Sequence, residues 1–190
     1  MVKNVRIAIF ISGKGSNALN LMEYFNLNPK IKIALIFSSK PNESIQKACA
    51  EFGVKCIQYT SEMGDLNNTA LEICKENNID FIVLAGFLKK VTPSIVATYP
   101  NRIINIHPSL LPKFGGKGMY GKHVHEAVIA AKEKSSGITI HFVNEAFDEG
   151  EIIARYETPI GENETPESLA EKIHKLEMQF FPKVLEQIIV

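Results

Sequence analysis

Short, mostly apolar runs, rich in Val, Ile and Phe, alternate along this chain with stretches whose apolar residues fall at helical spacing. Residues 5–11, 31–37, 54–59, 81–85 and 102–106 read as strands. Between them, 16–25, 43–52, 65–76 and 93–99 read as helices. Leu66, Ala70, Ile73 and Cys74 line one side of the third helix, and Thr92-Pro93 offers a cap followed by proline at the first helical position. A strand that is apolar throughout suits the middle of a parallel sheet covered on both faces. The order βαβαβαβαβ therefore predicts an α/β protein with a mostly parallel central sheet and helices on both faces.

The second half changes character. Residues 123–132 predict a helix with Val124, Ala127, Val128 and Ala131 inward. Ile138, Ile140 and Phe142 alternate with Thr139, His141 and Val143, the pattern of a half-exposed strand. Phe147-Asp148-Glu149-Gly150 is a turn, and 151–157 reads as another strand, so this pair is expected as an antiparallel addition to the sheet. Thr165-Pro166 opens a last helix with Leu169, Ile173, Leu176 and Phe180 on one face, and Pro182 is expected to kink or restart it. No internal repeat, low-complexity segment or linker is visible, which favours a single domain over 1–190.

Composition narrows the function classes. Lys plus Arg and Asp plus Glu each total 21, so the formal net charge is zero, which argues against a nucleic-acid coat or a membrane-surface protein. A hydrophobic fraction of 45% argues against a disordered chain. Cys49, Cys56 and Cys74 form no Cys-x-x-Cys pattern and no disulfide scaffold, which points to a reducing cytoplasm. The first apolar run follows Lys3 and Arg6 but is stopped by Ser12-Gly13-Lys14-Gly15, too soon for a signal sequence or a membrane span.

Two constellations carry chemistry. The first is Ile11-Ser12-Gly13-Lys14-Gly15-Ser16-Asn17, between the first strand and the first helix. Glycines permit close backbone approach, and helix N-terminal amides can hold a phosphate with help from Ser16, Asn17 and the charge of Lys14. The loop lacks the Gly-Lys-Ser/Thr ending of a Walker loop and the third glycine of a dinucleotide fingerprint. It fits either a phosphate cradle or a plain strand-to-helix turn. The second is Asn105-Ile106-His107-Pro108 at the end of the fifth strand, where open α/β sheets build their sites. Residues two apart on a strand face one side, so the Asn105 amide and the His107 imidazole share a face. If folding returns Asp148 to this point, the carboxylate is expected to raise the His107 pKa and hold an imidazolium. Asn, His and Asp together suit an oxyanion and a proton transfer. The same residues could instead satisfy buried backbone groups.

Other chemistries fit less well. The histidines at 107, 123, 125, 141 and 174 offer nitrogen ligands, but no His-Glu-x-x-His motif exists, and His123 and His125 do not share a helical face. His141 reads as a strand residue near a pocket rim and a hydrogen-bonding partner rather than a metal ligand. Ser109 lacks the Gly-x-Ser-x-Gly elbow of a serine hydrolase.

The glycine loop, Leu84-Ala85-Gly86-Phe87, Asn105-Ile106-His107-Pro108-Ser109-Leu110-Leu111-Pro112, Gly137-Ile138-Thr139-Ile140-His141-Phe142-Val143, Phe147-Asp148-Glu149-Gly150 and the stretch from Glu177 to Pro182 together resemble the folate-dependent formyltransferases. Within that family the Ser-Gly-x-Gly-Ser-Asn start is similar to the phosphoribosylglycinamide formyltransferase branch. The resemblance covers nearly the whole chain in family order. It implies a Rossmann-like fold, with a nucleotide phosphate-binding half at about 1–100 and a catalytic and folate-binding half at about 80–190. It implies formyl transfer from 10-formyltetrahydrofolate, as co-substrate, to the amine of glycinamide ribonucleotide in purine synthesis, with no metal. Gly15, Ser16 and Asn17 match the phosphate site, and Glu177 a residue near the ribose. Leu88, Lys89, Lys90 and Val91 match the folate pocket, and Asn105 the contact to the formyl region. His107 matches the catalytic imidazole and Asp148 its acidic partner. The implied partners are small molecules, with no nucleic acid and no membrane, acting on a monomer or homodimer.

The chain departs from the family pattern in places. Residues 59–66 hold no arginine where the family often has one, and the folate segment carries lysines, which lack arginine's planar fork. The glycine-rich stretch 114–121 is longer than usual, and reads equally as a surface loop or as a substrate gate. The rivals are a formyltetrahydrofolate deformylase without its regulatory domain, a methionyl-tRNA formyltransferase, which would need a longer chain, and a non-catalytic nucleotide-binding module.

Overall fold

The computed structural model describes residues 4–189; Lys3 and the two ends of the domain expected over 1–190 lie outside that range. Strands β1 (Val5–Ile11), β2 (Ile31–Ser38), β3 (Lys55–Gln58), β4 (Phe81–Leu84), β5 (Ile103–His107), β6 (Ser135–Phe142) and β7 (Ile152–Pro159) form one sheet in the order β3-β2-β1-β4-β5-β6-β7. Pairing is parallel from β3 through β5 and antiparallel for β5–β6 and β6–β7. The helices are α1 (Ser16–Phe25), α2 (Glu43–Phe52), α3 (Leu66–Glu76), α4 (Pro93–Thr98), α5 (Lys122–Ala130) and α6 (Pro166–Ile189). Among the described residues no helix is long and apolar enough to cross a membrane.

Alternate residues of β1 explain the layers. Ile7, Ile9 and Ile11 face a core with Leu21 and Met22 of α1, Ile45 of α2, Val124 of α5 and Phe181 of α6. Ala8 and Phe10 face a second core with Leu71 and Cys74 of α3 and Ile95 of α4. A strand segment buried on both faces must be apolar throughout, which is why β1 reads as a continuous run from Ile7 to Ile11.

Three expectations change. β5 begins one residue later than expected and ends on His107, so the imidazole belongs to the strand itself. β6 is not half-exposed: residues 136–141 are all buried, because β6 lies inside the sheet between β5 and β7. The half-exposed strand is the edge strand β7. Pro182 neither breaks nor restarts α6, which runs through it from Pro166 to Ile189. Proline removes one helical donor, but Phe181, Pro182, Val184 and Leu185 are all buried, and that packing holds the helix together.

The order of the strands reverses between β1 and β4. Their carboxyl ends open a crevice there, the usual ligand position in such sheets. Ser12 closes its floor: its N–H donates to the Gly86 carbonyl at 3.1 Å, and its Oγ accepts from Leu88 N–H at 3.0 Å.

Candidate active site

A cavity of about 600 Å³ fills the crevice, lined by the loop after β1, the ends of β4 and β5, the glycine-rich stretch 116–121, Asp148 and one face of α6. Gly15 opens α1 with φ +78°, and a Cβ there would come within 2.5 Å of the Ile45 side chain. Only glycine fits that combination. No side chain caps α1, so its first amides remain available to an anion. Asn42 holds the loop from behind, donating to the Gly13 carbonyl at 2.8 Å while its own oxygen caps α2.

Ser16 is exposed beside the cavity, whereas Asn17 is buried. The Asn17 amide does not turn toward the helix start; its Nδ2 donates to Glu177 Oε2 at 2.9 Å. Residues 160 apart in sequence thus form one wall. Burial pushes the Glu177 carboxyl up, while Asn17 and His174, whose Nδ1 lies 3.7 Å from the same oxygen, pull it down without cancelling the effect.

Asn105, His107 and Asp148 converge as expected. Asp148 arrives on the loop after β6 with φ 57°, a left-handed conformation that aspartate tolerates. Gly150 anchors this turn, since a Cβ there would meet the Phe142 carbonyl oxygen at 1.7 Å. Asp148 Oδ2 accepts from Gly116 N–H at 2.8 Å and lies 3.6 Å from His107 Nδ1. His107 Nε2 donates to the Phe114 carbonyl at 2.8 Å. Both imidazole nitrogens therefore face acceptors, an arrangement made for a cation. Burial nevertheless outweighs Asp148 and Phe114 and leaves the His107 pKa below its ordinary value. Asp148 does raise it, as expected, but removing the ring from water costs more, so the net value lies below the ordinary one. Burial also pushes the Asp148 carboxyl up, yet His141, His107 and the Gly116 N–H more than offset it, and its pKa falls below the usual range.

Asn105 is held by His141, the strand residue read as a pocket-rim hydrogen-bonding partner. Its Nδ2 lies 3.0 Å from His141 Nε2 and 3.5 Å from Asp148 Oδ1. His141 Nδ1 donates to the Phe142 carbonyl at 2.8 Å, and in the tautomer that carries its proton there Nε2 accepts from Asn105. Both amide hydrogens of Asn105 are thereby directed to protein groups, and its oxygen is the uncommitted end. His125 was missed as a site residue. It is buried against the cavity, its Nδ1 has no partner among the described residues, and burial followed by the charge of His107 lowers its pKa.

A second pocket, about 70 Å³, adjoins the first. Asn105, Asp148, Phe87 and Phe147 line both. Leu88 faces the large cavity, while Lys89, Lys90 and Val91 line the small one. The Lys90 ammonium lies 5.4 Å from the centre of the Phe147 ring, within cation–π range. Ser109 is fully buried and donates to the Lys113 carbonyl at 2.7 Å, a turn-building role. Among the described residues no cluster of three His, Cys, Asp or Glu could hold a metal ion.

Residues 5–185 match the formyl transferase family. The chain is 33% identical over 192 residues to the chloroplastic phosphoribosylglycinamide formyltransferase of Arabidopsis thaliana, covering 96% of this chain and 66% of that protein. It is 30% identical to the phosphoribosylglycinamide formyltransferase of Bacillus subtilis, covering 97% of this chain and 94% of the relative. The chain therefore spans just under two thirds of the plant relative and nearly all of the bacterial one. The crystal structure of phosphoribosylglycinamide formyltransferase from Bacillus halodurans superposes with a TM-score of 0.85 at 34% identity, over 97% of this chain and 95% of the other.

Proposed function

The chain belongs to the formyl transferase family, and from that premise we propose that it transfers the formyl group of 10-formyltetrahydrofolate to the amine of glycinamide ribonucleotide. The products are formylglycinamide ribonucleotide and tetrahydrofolate, in purine synthesis. One observation carries the reading: Asn105 and Asp148 line both cavities, so a group passing between two ligands passes them. The larger cavity, with the α1 amides at one end, suits the ribonucleotide. The smaller, beside Leu88, Lys89, Lys90 and Val91, suits the folate end that delivers the formyl group, with Asn105 at its mouth.

The ribonucleotide phosphate lies at Gly15 and Ser16, while Asn17 and Glu177 form the adjoining wall toward the ribose. The amine attacks the formyl carbon, the bond from that carbon to the folate nitrogen breaks, and the proton lost by the amine ends on that nitrogen. Asp148, kept ionised, faces the positive charge that develops on the attacking amine. His107 accepts charge with an acceptor already placed at each nitrogen. The uncommitted Asn105 oxygen can take an N–H of the amine, and a half-turn of the amide would present its N–H to the oxyanion instead. Three free cysteines support a reducing cytoplasmic setting.

Purified protein with both substrates, assayed for formyl transfer and for formate release in parallel, tests the reading. Transfer that depends on the ribonucleotide is expected. Formate release at the same rate with and without it would refute the proposal.

A further inference from the structure

The glycine-rich stretch 114–121 touches the catalytic pair at one end, and its residues 116–121 line the same cavity as the loop after β1. Phe114 holds His107 through its carbonyl, and Gly116 holds Asp148 through its N–H. The next residue is Lys117, which lines the same cavity as Lys14, Gly15 and Ser16. The lysines flanking it in sequence are each tied to a carboxylate: Lys113 lies 2.8 Å from Glu133, and Lys122 lies 3.3 Å from Glu126. Among the described residues Lys117 and Lys14 have no such partner. The acids on the cavity wall do not neutralise them. Asp148 is engaged by Gly116 and the histidines, and Glu177 is turned to Asn17, with burial holding its pKa up.

We propose that Lys117 is a second cationic ligand of the substrate phosphate, facing the α1 amides, and that it couples phosphate recognition to the alignment of His107 and Asp148. The inference rests on the functional reading above and goes beyond it in assigning the loop a binding role. A phosphate dianion between α1 and Lys117 draws residue 117 inward. The same movement presses Gly116 and Phe114 onto Asp148 and His107. Binding energy from a remote, non-reacting group is thus realised at the reacting centre. The consequence is specificity: an acceptor without the phosphate binds more weakly and also reacts more slowly.

Two measurements test this. The first needs no chemistry: titration of ribose 5-phosphate into wild type, Lys117→Ala and Lys117→Arg by calorimetry. The alanine variant should bind about tenfold more weakly, as expected for loss of one charge-assisted contact, and the arginine variant should recover most of the loss. Equal binding by all three would overturn the proposal whether or not the protein transfers formyl groups. The second compares kcat/KM for glycinamide ribonucleotide and for its dephosphorylated riboside. In Lys117→Ala the preference for the phosphorylated acceptor should shrink about tenfold, with part of the loss in kcat, and the loss on the riboside should be the smaller of the two. An equal loss on both acceptors would assign Lys117 a merely structural role and overturn the proposal. Absence of transfer by wild type would refute the functional reading, leaving the ribose 5-phosphate titration to decide the role of Lys117.

Discussion

Asn105 and His141 stand directly opposite each other on β5 and β6, with Asn105 Nδ2 3.0 Å from His141 Nε2. The bond from His141 Nδ1 to the Phe142 carbonyl fixes the tautomer, and the tautomer fixes which end of the Asn105 amide is committed. A strand residue that lines only the smaller cavity thus orients one that lines both.

Replacing His141 by Leu should therefore act on turnover more than on nucleotide binding. The amide loses its acceptor and samples both orientations. We expect kcat to fall about 10- to 100-fold and stability by about 1–3 kcal/mol, the range for a buried polar group left without its partner. Steady-state kinetics on both substrates, with urea melts of the variant, check this. A change confined to KM for the ribonucleotide would contradict it.

Asp148→Asn should keep the fold and lower turnover by about 10²-fold or more. The neutral amide no longer favours the imidazolium, so the His107 pKa, already depressed by burial, should fall further. NMR titration of His107 in wild type and variant reads the direction. An unchanged titration would remove the electrostatic link between the two residues.

Stability should decline on acidification in two stages. His107 and His125 both have folded pKa values below the ordinary 6.5. Each binds fewer protons folded than unfolded, so its contribution is complete above 6.5 and is lost as pH falls through the folded value. Asp148, below its ordinary 3.8, contributes fully above that value and loses its contribution lower still. Urea denaturation from pH 7.5 to 3.5 should show the first decline beginning below about pH 6.5, and His107→Gln should make it shallower. A wild-type stability that rose between pH 7 and 5 would contradict the sign.

Gly15→Ala should cost about 1–3 kcal/mol, part from the left-handed backbone and part from the clash with Ile45. In an Ile45→Ala background the clash with Ile45 disappears, leaving the backbone part and a close approach to Ile11 at 3.3 Å, so the two changes should be non-additive. Thermal melts of the four proteins in this cycle measure the coupling. Strict additivity would show that the Ile45 contact does not enforce glycine.

What the sequence determined by itself is local. Strands β1, β2 and β4 are readable because their segments buried on both faces, from Ile7 in β1 and from Ile33 in β2, must be apolar, and that requirement is written into consecutive residues. The loop after β1 and the pairing of Asn105 with His107 on one face are also local, one set by glycine and the other by the two-residue period of a strand. Tertiary structure decided the rest. The burial of β6 follows from its place between β5 and β7; its own alternating pattern suggested a half-exposed strand. His141 joined the site through a cross-strand register to a residue 36 positions away, and Asn17 met Glu177 across 160. The charge balance of His107 shows the reason most directly. The sequence supplies the carboxylate that favours the imidazolium. The desolvation that opposes it depends on everything folded over the ring, and only the assembled structure shows that desolvation prevails.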